Sequence, residues 1–375
     1  MLHVDLPSLA ELKALISTRA DACLSIYVQT TPQTQHVAQS RVQYGNLVRD
    51  GLKLMEEAGI DKRRRALLET ECAALGADDE FWKYQAHSLA VLATPDNLKS
   101  FRLATSVKDT VQVADRFLLK PLLRAIAFPQ TAYILALSEN AVRLIKIFPD
   151  LPPTEVKVAG LPQSAADAAG RASINNLTQN TRLANAEGQT VLLRQYARQV
   201  DSALRPVLSG QDLPLILAAT QPLDAIFRNL NSYPALLKPA IVASPDRMNE
   251  SELAGAARPI LDQYYREEAA AALGQFEARL GERRATSDLA EIARAATAGA
   301  VSLLMVDIDK TIEGRVSDAD GALSLAGKPA PMDYDIIDEI AGRAILHGAK
   351  FLALRAPDLP GNSSLAAILR YPLPS

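Results

Sequence analysis

Arginine side chains concentrate in the segment from residue 171 to residue 208. This segment holds five arginines and two acidic residues, so it has an excess of three positive charges in a chain whose net charge is −3. Arginine binds phosphate oxygens through a planar fork of N–H donors that is always charged. The segment is therefore the expected phosphate-facing surface of the protein, and its arginines are Arg171, Arg182, Arg194, Arg198 and Arg205.

A glycine–glutamine pair, Gly188-Gln189, lies in the same segment, within the sequence "NAEGQTVLLRQYARQ". A polar stretch without an apolar period precedes the pair, and a helical period begins directly after it. Arg194, Arg198 and Arg205 fall on one side of that predicted helix, because four and seven residues separate them. The alternative interpretation is a solvated helix face on which these arginines form salt bridges.

Other residues with chemical potential give weaker patterns. Asp307 and Asp309 alternate near Glu313, as ligands of Mg²⁺ can, but a turn at the end of a strand explains them better. The sequence "SDADG" at 317–321 predicts a hairpin turn, because it lacks the later acidic ligand of a calcium loop. The four histidines are scattered, and neither a P-loop nor a Gly-x-Ser-x-Gly motif occurs. We therefore expect no metal site and no cofactor.

The composition is that of a soluble globular protein, with 48% hydrophobic and 22% charged residues. The 40 basic and 43 acidic residues nearly balance, which is not typical of a protein that coats nucleic acid. Two cysteines without the spacing of metal ligands favour a reducing compartment. The sequence shows neither a signal-peptide pattern nor an apolar run of about 18 residues. These features predict a cytoplasmic protein with no membrane partner.

A chain of 375 residues predicts more than one domain. Residues 1–127 alternate helical and strand patterns, which indicates an N-terminal α/β domain. Residues 128–282 begin with three closely spaced strands, an antiparallel meander, and continue with two short apolar strands that are each followed by a helix, a pattern typical of parallel pairing. Residues 161–190 lack an apolar period and predict a long loop. Residues 283–375 alternate helices and strands, as in an α/β/α sandwich.

Several segments resemble one protein family. "GAVSLLMVDIDKTIEGRV", "HGAKFLAL" and "AAILRYP" near the C-terminus, and "RFLLKPLLRAIAFPQTAYILALSENAVRLIKI" upstream, are similar to bacterial proteins related to the archaeo-eukaryotic peptide release factors and to pelota. The resemblance covers roughly residues 110 to 375 and, more weakly, the N-terminal domain. It implies an RNase-H-like middle domain and a C-terminal domain that resembles the ribosomal proteins binding kinked RNA.

The resemblance also implies roles for the glycine–glutamine pair. Release factors of this group carry a Gly-Gly-Gln tripeptide on a long loop before a helix of the middle domain, and Glu187-Gly188-Gln189 occupies that place here. Gly188 is then expected to have a positive φ, which allows the backbone to approach RNA closely. Gln189 is expected to orient a water molecule at the ester of peptidyl-tRNA. Glu187 departs from the tripeptide, and its carboxylate is unfavourable beside RNA phosphates.

The function predicted from the resemblance is that of a release-factor-like, ribosome-associated protein. It would hydrolyse peptidyl-tRNA in ribosome rescue or quality control, with Gly188 and Gln189 as catalytic residues, the arginines as RNA-binding residues, and the ribosome or tRNA as partner. A protein partner is expected at the C-terminal domain. The alternative is a non-catalytic RNA- or protein-binding member of the same fold family, in which the Gly-Gly-Gln loop is degenerate. A metal-dependent nuclease ranks last, because no ligand cluster supports it.

Overall fold

Segments with apolar alternation form strands and segments with a helical period form helices, so the mixed α/β class predicted from the sequence is confirmed. The structure is a computed structural model that describes residues 4–32, 37–127, 131–148, 152–170, 182–210, 213–307, 309–326, 332–354 and 356–372. The chain divides into two compact units, of which the first is Met1–Phe128 with Glu267–Ser375 and the second is Pro129–Arg266.

The N-terminal part of the first unit combines helices with one antiparallel sheet. Its elements are α1 (Leu9–Ser17), β1 (Cys23–Gln29), α2 (Val37–Glu57), α3 (Lys62–Ala77), α4 (Asp79–Lys83), β2 (Ser88–Thr94), β3 (Asn97–Leu103), β4 (Thr110–Ala114) and α5 (Lys120–Ala127). The strands pair in the order β3-β2-β1-β4. The side chains of Leu24 and Ile26 pack among residues of α2 and α3, whereas Tyr27 packs on the opposite face of the sheet. Both faces of β1 are therefore covered, which explains its nearly uninterrupted apolar sequence.

The middle unit is built on a mixed five-stranded sheet. Its elements are β5 (Ala132–Leu137), β6 (Val142–Ile147), β7 (Thr154–Val156), α6 (Ala165–Ala168), α7 (Arg182–Leu208), β8 (Leu215–Ala218), α8 (Leu223–Leu230), β9 (Leu236–Ile241) and the first part of α9 (Glu250–Leu280). The strand order is β7-β6-β5-β8-β9. β5, β6 and β7 pair antiparallel, and β5, β8 and β9 pair parallel. The predicted meander and the predicted parallel pairing are both confirmed.

The predicted loop over residues 161–190 is wrong at its C-terminal end. The helix α7 begins at Arg182, so residues 182–190 are helical rather than extended loop. A short helix also lies inside the predicted loop, at Ala165–Ala168, and residues 171–181 lie outside the described residues. The first turns of α7 were missed because they lack apolar periodicity, although alanine, leucine, glutamate and glutamine all favour the helical backbone.

The C-terminal part of the first unit contains a four-stranded and a three-stranded sheet. Its elements are β10 (Ala285–Thr286), α10 (Leu289–Thr297), β11 (Val301–Asp307), β12 (Glu313–Val316), β13 (Leu323–Leu325), β14 (Tyr334–Asp335), α11 (Ile336–Leu346), β15 (Lys350–Leu354) and β16 (Leu365–Leu369). The orders are β10-β16-β11-β15 and β13-β12-β14. Asp288 is the N-cap of α10, because its side chain accepts the N–H of Glu291.

The N-terminal and C-terminal parts share one hydrophobic core. Leu12 of α1 and Leu122 of α5 belong to the same buried cluster as Ile292 of α10 and Ile340 of α11. The sheets of both parts contribute to this cluster, for example through Tyr27. These parts therefore form one compact unit, where the sequence predicts two separate domains, 1–127 and 283–375. Contacts between segments so far apart in sequence produce no local periodicity, so the sequence does not predict them.

The long helix α9 contacts different sheets along its length. Leu253 and Leu261 pack on the middle sheet, whereas Ala272 and Phe276 pack on the four-stranded C-terminal sheet. The division between the compact units falls within the helix, after Arg266, whereas the sequence places the boundary after residue 282. A helical period shows which face of a helix is buried but does not show which sheet buries each turn.

Candidate functional site

The glycine–glutamine pair lies inside α7. Gly188 and Gln189 are in the second turn of the helix, and both are exposed. The φ angle of Gly188 is not positive, so the positive φ that the resemblance implied is wrong for this structure. A Cβ atom added at Gly188 would have nothing within 4 Å. Neither backbone conformation nor packing therefore requires glycine at this position in the free protein.

The face of α7 that packs on the middle sheet begins after the pair. Leu193, Tyr196 and Val200 are buried, and the Tyr196 hydroxyl donates to the Ser138 carbonyl at 3.0 Å. Leu193 is the first buried residue of the helix among the side chains that the structure describes, from residue 188 onward. Gln189 precedes Leu193 by four residues and so continues the same helical face beyond the edge of the core. The amide of Gln189 is accessible to a partner.

The arginines of α7 fall into two groups. Arg194 and Arg198 are exposed and form no ion pair with any residue that the structure describes. The Arg205 side chain is 63% exposed, and its Nη2 lies 2.8 Å from Oδ2 of Asp201. The interpretation that the arginines form salt bridges is therefore correct for Arg205. Arg194 and Arg198 have no such partner, so their guanidinium groups are available to bind phosphate. Arg182 is the first residue of α7, and Arg171 lies outside the described residues.

The arginines and the glutamine do not share a face of α7. At 100° per residue, Arg194, Arg198 and Arg205 lie within about 40° of one another around the helix axis. Gln189 lies about 140° from Arg194 around the same axis. The structure brings the three arginines into one row, which we call the arginine row, and it separates the glutamine from them.

The acidic residues of the middle unit are hydrogen-bonded to neighbours. Asp246 accepts from the Ser138 hydroxyl and from the Asn140 amide, the latter at 3.0 Å. Glu250 lies 3.0 Å from Arg143. These bonds join the β5–β6 hairpin to the segment that leads into α9. The carboxylates therefore hold backbone segments in place.

The aspartates Asp307 and Asp309 form a turn at the end of β11. The Asp309 N–H donates to Oδ1 of Asp307 at 3.1 Å, and the Asp309 carboxylate lies 2.9 Å from Arg124. No group of three or more potential metal ligands occurs among the described residues. The turn explains this aspartate pair.

The sequence did not predict a buried charged cluster in the first unit. Oε1 of Glu339 lies 2.6 Å from Nη1 of Arg116, 2.7 Å from Nε of Arg343 and 2.9 Å from Nη2 of Arg19. The Glu339, Arg116 and Arg343 side chains are at most 8% exposed. Three guanidinium groups from the N- and C-terminal parts thus share one carboxylate, and the Arg116 guanidinium also lies over the Tyr334 ring.

A second carboxylate of α11 is buried next to this cluster. Oδ2 of Asp338 accepts the Leu119 N–H at 2.7 Å, and Oδ1 has no hydrogen-bond partner among the described residues. Burial, followed by the nearby charge of Asp335, raises the pKa of Asp338 to about 8. Lys120 contacts Asp335. The signal that could have shown this burial is the sequence "DIIDEIA", in which isoleucines flank the acidic pair on both sides.

The comparisons with known proteins agree with the middle unit being release-factor-like. Residues 129–267 match the model of the family described as "Bacterial archaeo-eukaryotic release factor family 11". Over this region the sequence is similar to a release-factor-like family, which confirms the resemblance recognised in the sequence. No curated protein matched the chain in sequence.

Solved structures give a weaker similarity. The chain is 15% identical to the archaeal translation termination factor aRF1, with 98% of this chain and 99% of that one covered and a TM-score of 0.23. It is 14% identical to S. cerevisiae Dom34, described as a translation termination-like factor, with 77% and 80% covered and a TM-score of 0.41. A model of ribosome-bound archaeal Pelota and ABCE1 is 10% identical, with 99% and 96% covered and a TM-score of 0.42. These identities and scores are too low to assign a function.

No helix in the described part of the chain is long and apolar enough to cross a membrane.

Proposed function

We propose that this protein is a release-factor-like factor that associates with ribosomes and acts in ribosome rescue or quality control. The family match of residues 129–267 supports this proposal. The observation that carries it furthest is the pair of exposed arginines, Arg194 and Arg198, which lack an ion-pair partner among the described residues of that region. Uncompensated arginines on one helix face attract RNA phosphates. Such a protein would act in the cytoplasm, with the ribosome or tRNA as its partner.

Peptidyl-tRNA hydrolysis is the activity proposed for the α7 segment that carries Gly188 and Gln189. In this mechanism the Gln189 amide orients a water molecule towards the ester carbon, and the ribosome supplies the remaining contacts. The segment would have to leave its helical conformation for Gly188 to adopt a positive φ. No side chain of residues 188–192 is fully buried, although Thr190 and Leu192 are half-buried, and helical turns with little tertiary packing are marginally stable.

A peptide-release assay on stalled bacterial ribosomes that carry labelled peptidyl-tRNA tests this activity. We expect wild-type protein to release the peptide and Gln189→Ala to lower the rate about tenfold or more. Gln195→Ala is the matched control, because Gln195 is an exposed glutamine of the same helix. Glu187→Gly restores the tripeptide of the release factors and should raise the rate. Equal rates for wild type and Gln189→Ala would show that Gln189 does not orient the water.

The second candidate function is binding without hydrolysis. Two observations favour it: Gly188 and Gln189 are helical in the free protein, and Glu187 stands in the place of the first glycine of the tripeptide. In this case wild-type protein binds ribosomes but releases no peptide, and Glu187→Gly does not create activity. The RNase-H-like assignment of the middle unit, the likeness of the C-terminal part to kink-binding ribosomal proteins, and a protein partner there are further parts of the proposal.

A further inference from the structure

A cavity of about 620 Å³ lies at the C-terminal end of α7. Helix residues form one wall, and the segment that follows α8 forms the other. Its lining combines apolar surfaces with hydroxyl, carboxylate and guanidinium groups, and includes Asp201, Arg205, Ser209, Ser232, Tyr233 and Pro234. Ligand pockets in proteins commonly have this volume and this mixture of apolar walls and a few polar groups.

The guanidinium group of Arg205 is fixed at this cavity. Asp201, whose side chain is 6% exposed, accepts from Nη2 of Arg205 at 2.8 Å. Nε of Arg205 donates to the Ser232 hydroxyl at 3.1 Å. The N–H and hydroxyl of Ser232 donate in turn to Oδ1 of Asp201, at 2.8 and 2.9 Å. These bonds hold the planar group in one orientation. The Arg205 side chain therefore loses little conformational entropy when a ligand stacks on it.

The other walls suit a flat, partly polar ligand. The Tyr233 ring is held in place, because its hydroxyl donates to the Leu213 carbonyl at 2.6 Å. Pro234, which is exposed, adds apolar surface, and Ser209 is exposed at the rim. Unstacked bases of single-stranded RNA bind in such places, on aromatic rings or on arginine planes, with hydrogen bonds at the base edges.

The cavity also lies at the end of the arginine row. Arg194 and Arg198 lie on the same side of α7 as Arg205, and about 16 Å along the helix axis separates Arg194 from Arg205. The two exposed arginines can neutralise phosphates of a strand that runs along the helix. A nucleotide at the end of that strand then reaches the cavity. An acidic peptide would satisfy the charges of the row, but its carboxylates would offer no flat ring to stack on the Arg205 guanidinium.

We propose that this cavity holds an unstacked nucleobase of single-stranded RNA whose backbone lies on Arg194 and Arg198. The inference rests on the proposed ribosome association and names the RNA element that this surface recognises. The backbone contacts give affinity without regard to sequence, whereas the base contact selects single-stranded over paired RNA.

Fluorescence anisotropy with a labelled ten-nucleotide single-stranded RNA tests the proposal on the full chain. Ser209→Trp fills the cavity from its rim and removes none of the bonds that hold Arg205. Ser251→Trp is the matched control, because Ser251 is an exposed serine of the same unit and does not line the cavity. We expect Ser209→Trp to raise the Kd about 5- to 100-fold, the range expected from the loss of one stacked base, and Ser251→Trp to leave it unchanged.

A labelled abasic RNA backbone of the same length provides a test that needs no variant. We expect it to bind wild-type protein as weakly as the intact RNA binds Ser209→Trp, and to be insensitive to that substitution. Equal Kd values for intact and abasic RNA would overturn the proposal. It would also be overturned by equal Kd values for the two tryptophan variants, by the absence of RNA binding to wild type, or by equally effective competition from polyglutamate. Circular dichroism of Ser209→Trp verifies that it folds.

Ribosome co-sedimentation separates this inference from the proposed function. If wild-type protein pellets with ribosomes but its binding to RNA is insensitive to Ser209→Trp, the cavity proposal fails and ribosome association remains. If wild-type protein does not pellet but binds intact RNA through the cavity, the proposed function fails and the base-binding site remains.

Discussion

Replacing Asp338 by asparagine should make the first unit less sensitive to alkaline pH. The Asp338 carboxyl is buried, accepts one backbone N–H and leaves Oδ1 without a described partner. Burial is the first cause of its raised pKa, and the charge of Asp335 is the second, while the Leu119 N–H and Lys120 oppose them. Asparagine keeps the shape of the group and stays neutral at every pH.

The sign and size of the effect follow from the two pKa values. The pKa of Asp338 is about 8 in the folded protein and about 3.9 in an unfolded chain. Below pH 4 the group is protonated in both states, so its contribution to stability is fully present. Between pH 4 and 8 the unfolded chain ionises first, so the wild-type free energy of unfolding falls by about 1.4 kcal/mol per pH unit. Asp338→Asn removes this loss.

Urea unfolding at pH 5, 6, 7 and 8 measures the difference between the two proteins. We expect Asp338→Asn to gain stability relative to wild type as pH rises, by roughly 2–3 kcal/mol between pH 5 and pH 7. Asp309→Asn is the control, because the Asp309 side chain is 59% exposed and its effect should not change over this range. A constant difference between wild type and Asp338→Asn at all four pH values would refute a buried, neutral Asp338.

Two further predictions concern stability. Glu339→Ala leaves three guanidinium groups without their shared carboxylate and should lower the free energy of unfolding by about 3–5 kcal/mol. The control Asp309→Ala breaks an exposed pair and should lower the free energy of unfolding by less than about 1 kcal/mol. Urea denaturation measures both variants, and similar losses for the two would contradict the burial of the cluster. Gly188→Ala should raise the free energy of unfolding by about 0.5–1 kcal/mol, because the residue is helical with open space around it. A loss of stability in Gly188→Ala would indicate a positive φ instead.

Much of the fold could be predicted from local sequence patterns. The fully buried segment "AYILAL" of β5 reads as a strand of a covered sheet. Asn249 and the acidic residues after it are typical of a helix start, and α9 begins there, with the Glu252 N–H donating to the Asn249 side chain. These features depend on residues that are close together in the sequence, so local patterns are sufficient to predict them.

Features that depend on distant residues could not be predicted. The first turns of α7 lack an apolar stripe, so the sequence predicted a loop where the helix bearing Gly188 and Gln189 lies. The ion pair of Glu339 with Arg116 joins the C-terminal part of the first unit to its N-terminal part, so no local pattern shows it. Of the candidate site, the spacing correctly predicted that Arg194, Arg198 and Arg205 form one row. The sequence could not show whether Arg205 pairs with an acidic neighbour such as Asp201 or is available to bind phosphate.

Co-sedimentation with bacterial ribosomes at increasing salt tests the central claim of ribosome association most directly. Wild-type protein should pellet with ribosomes at low salt and be released as salt rises, because its phosphate contacts displace counterions. Replacing both Arg194 and Arg198 by glutamate should move the release to lower salt. Wild-type protein that stays in the supernatant at every salt concentration would contradict the proposed function.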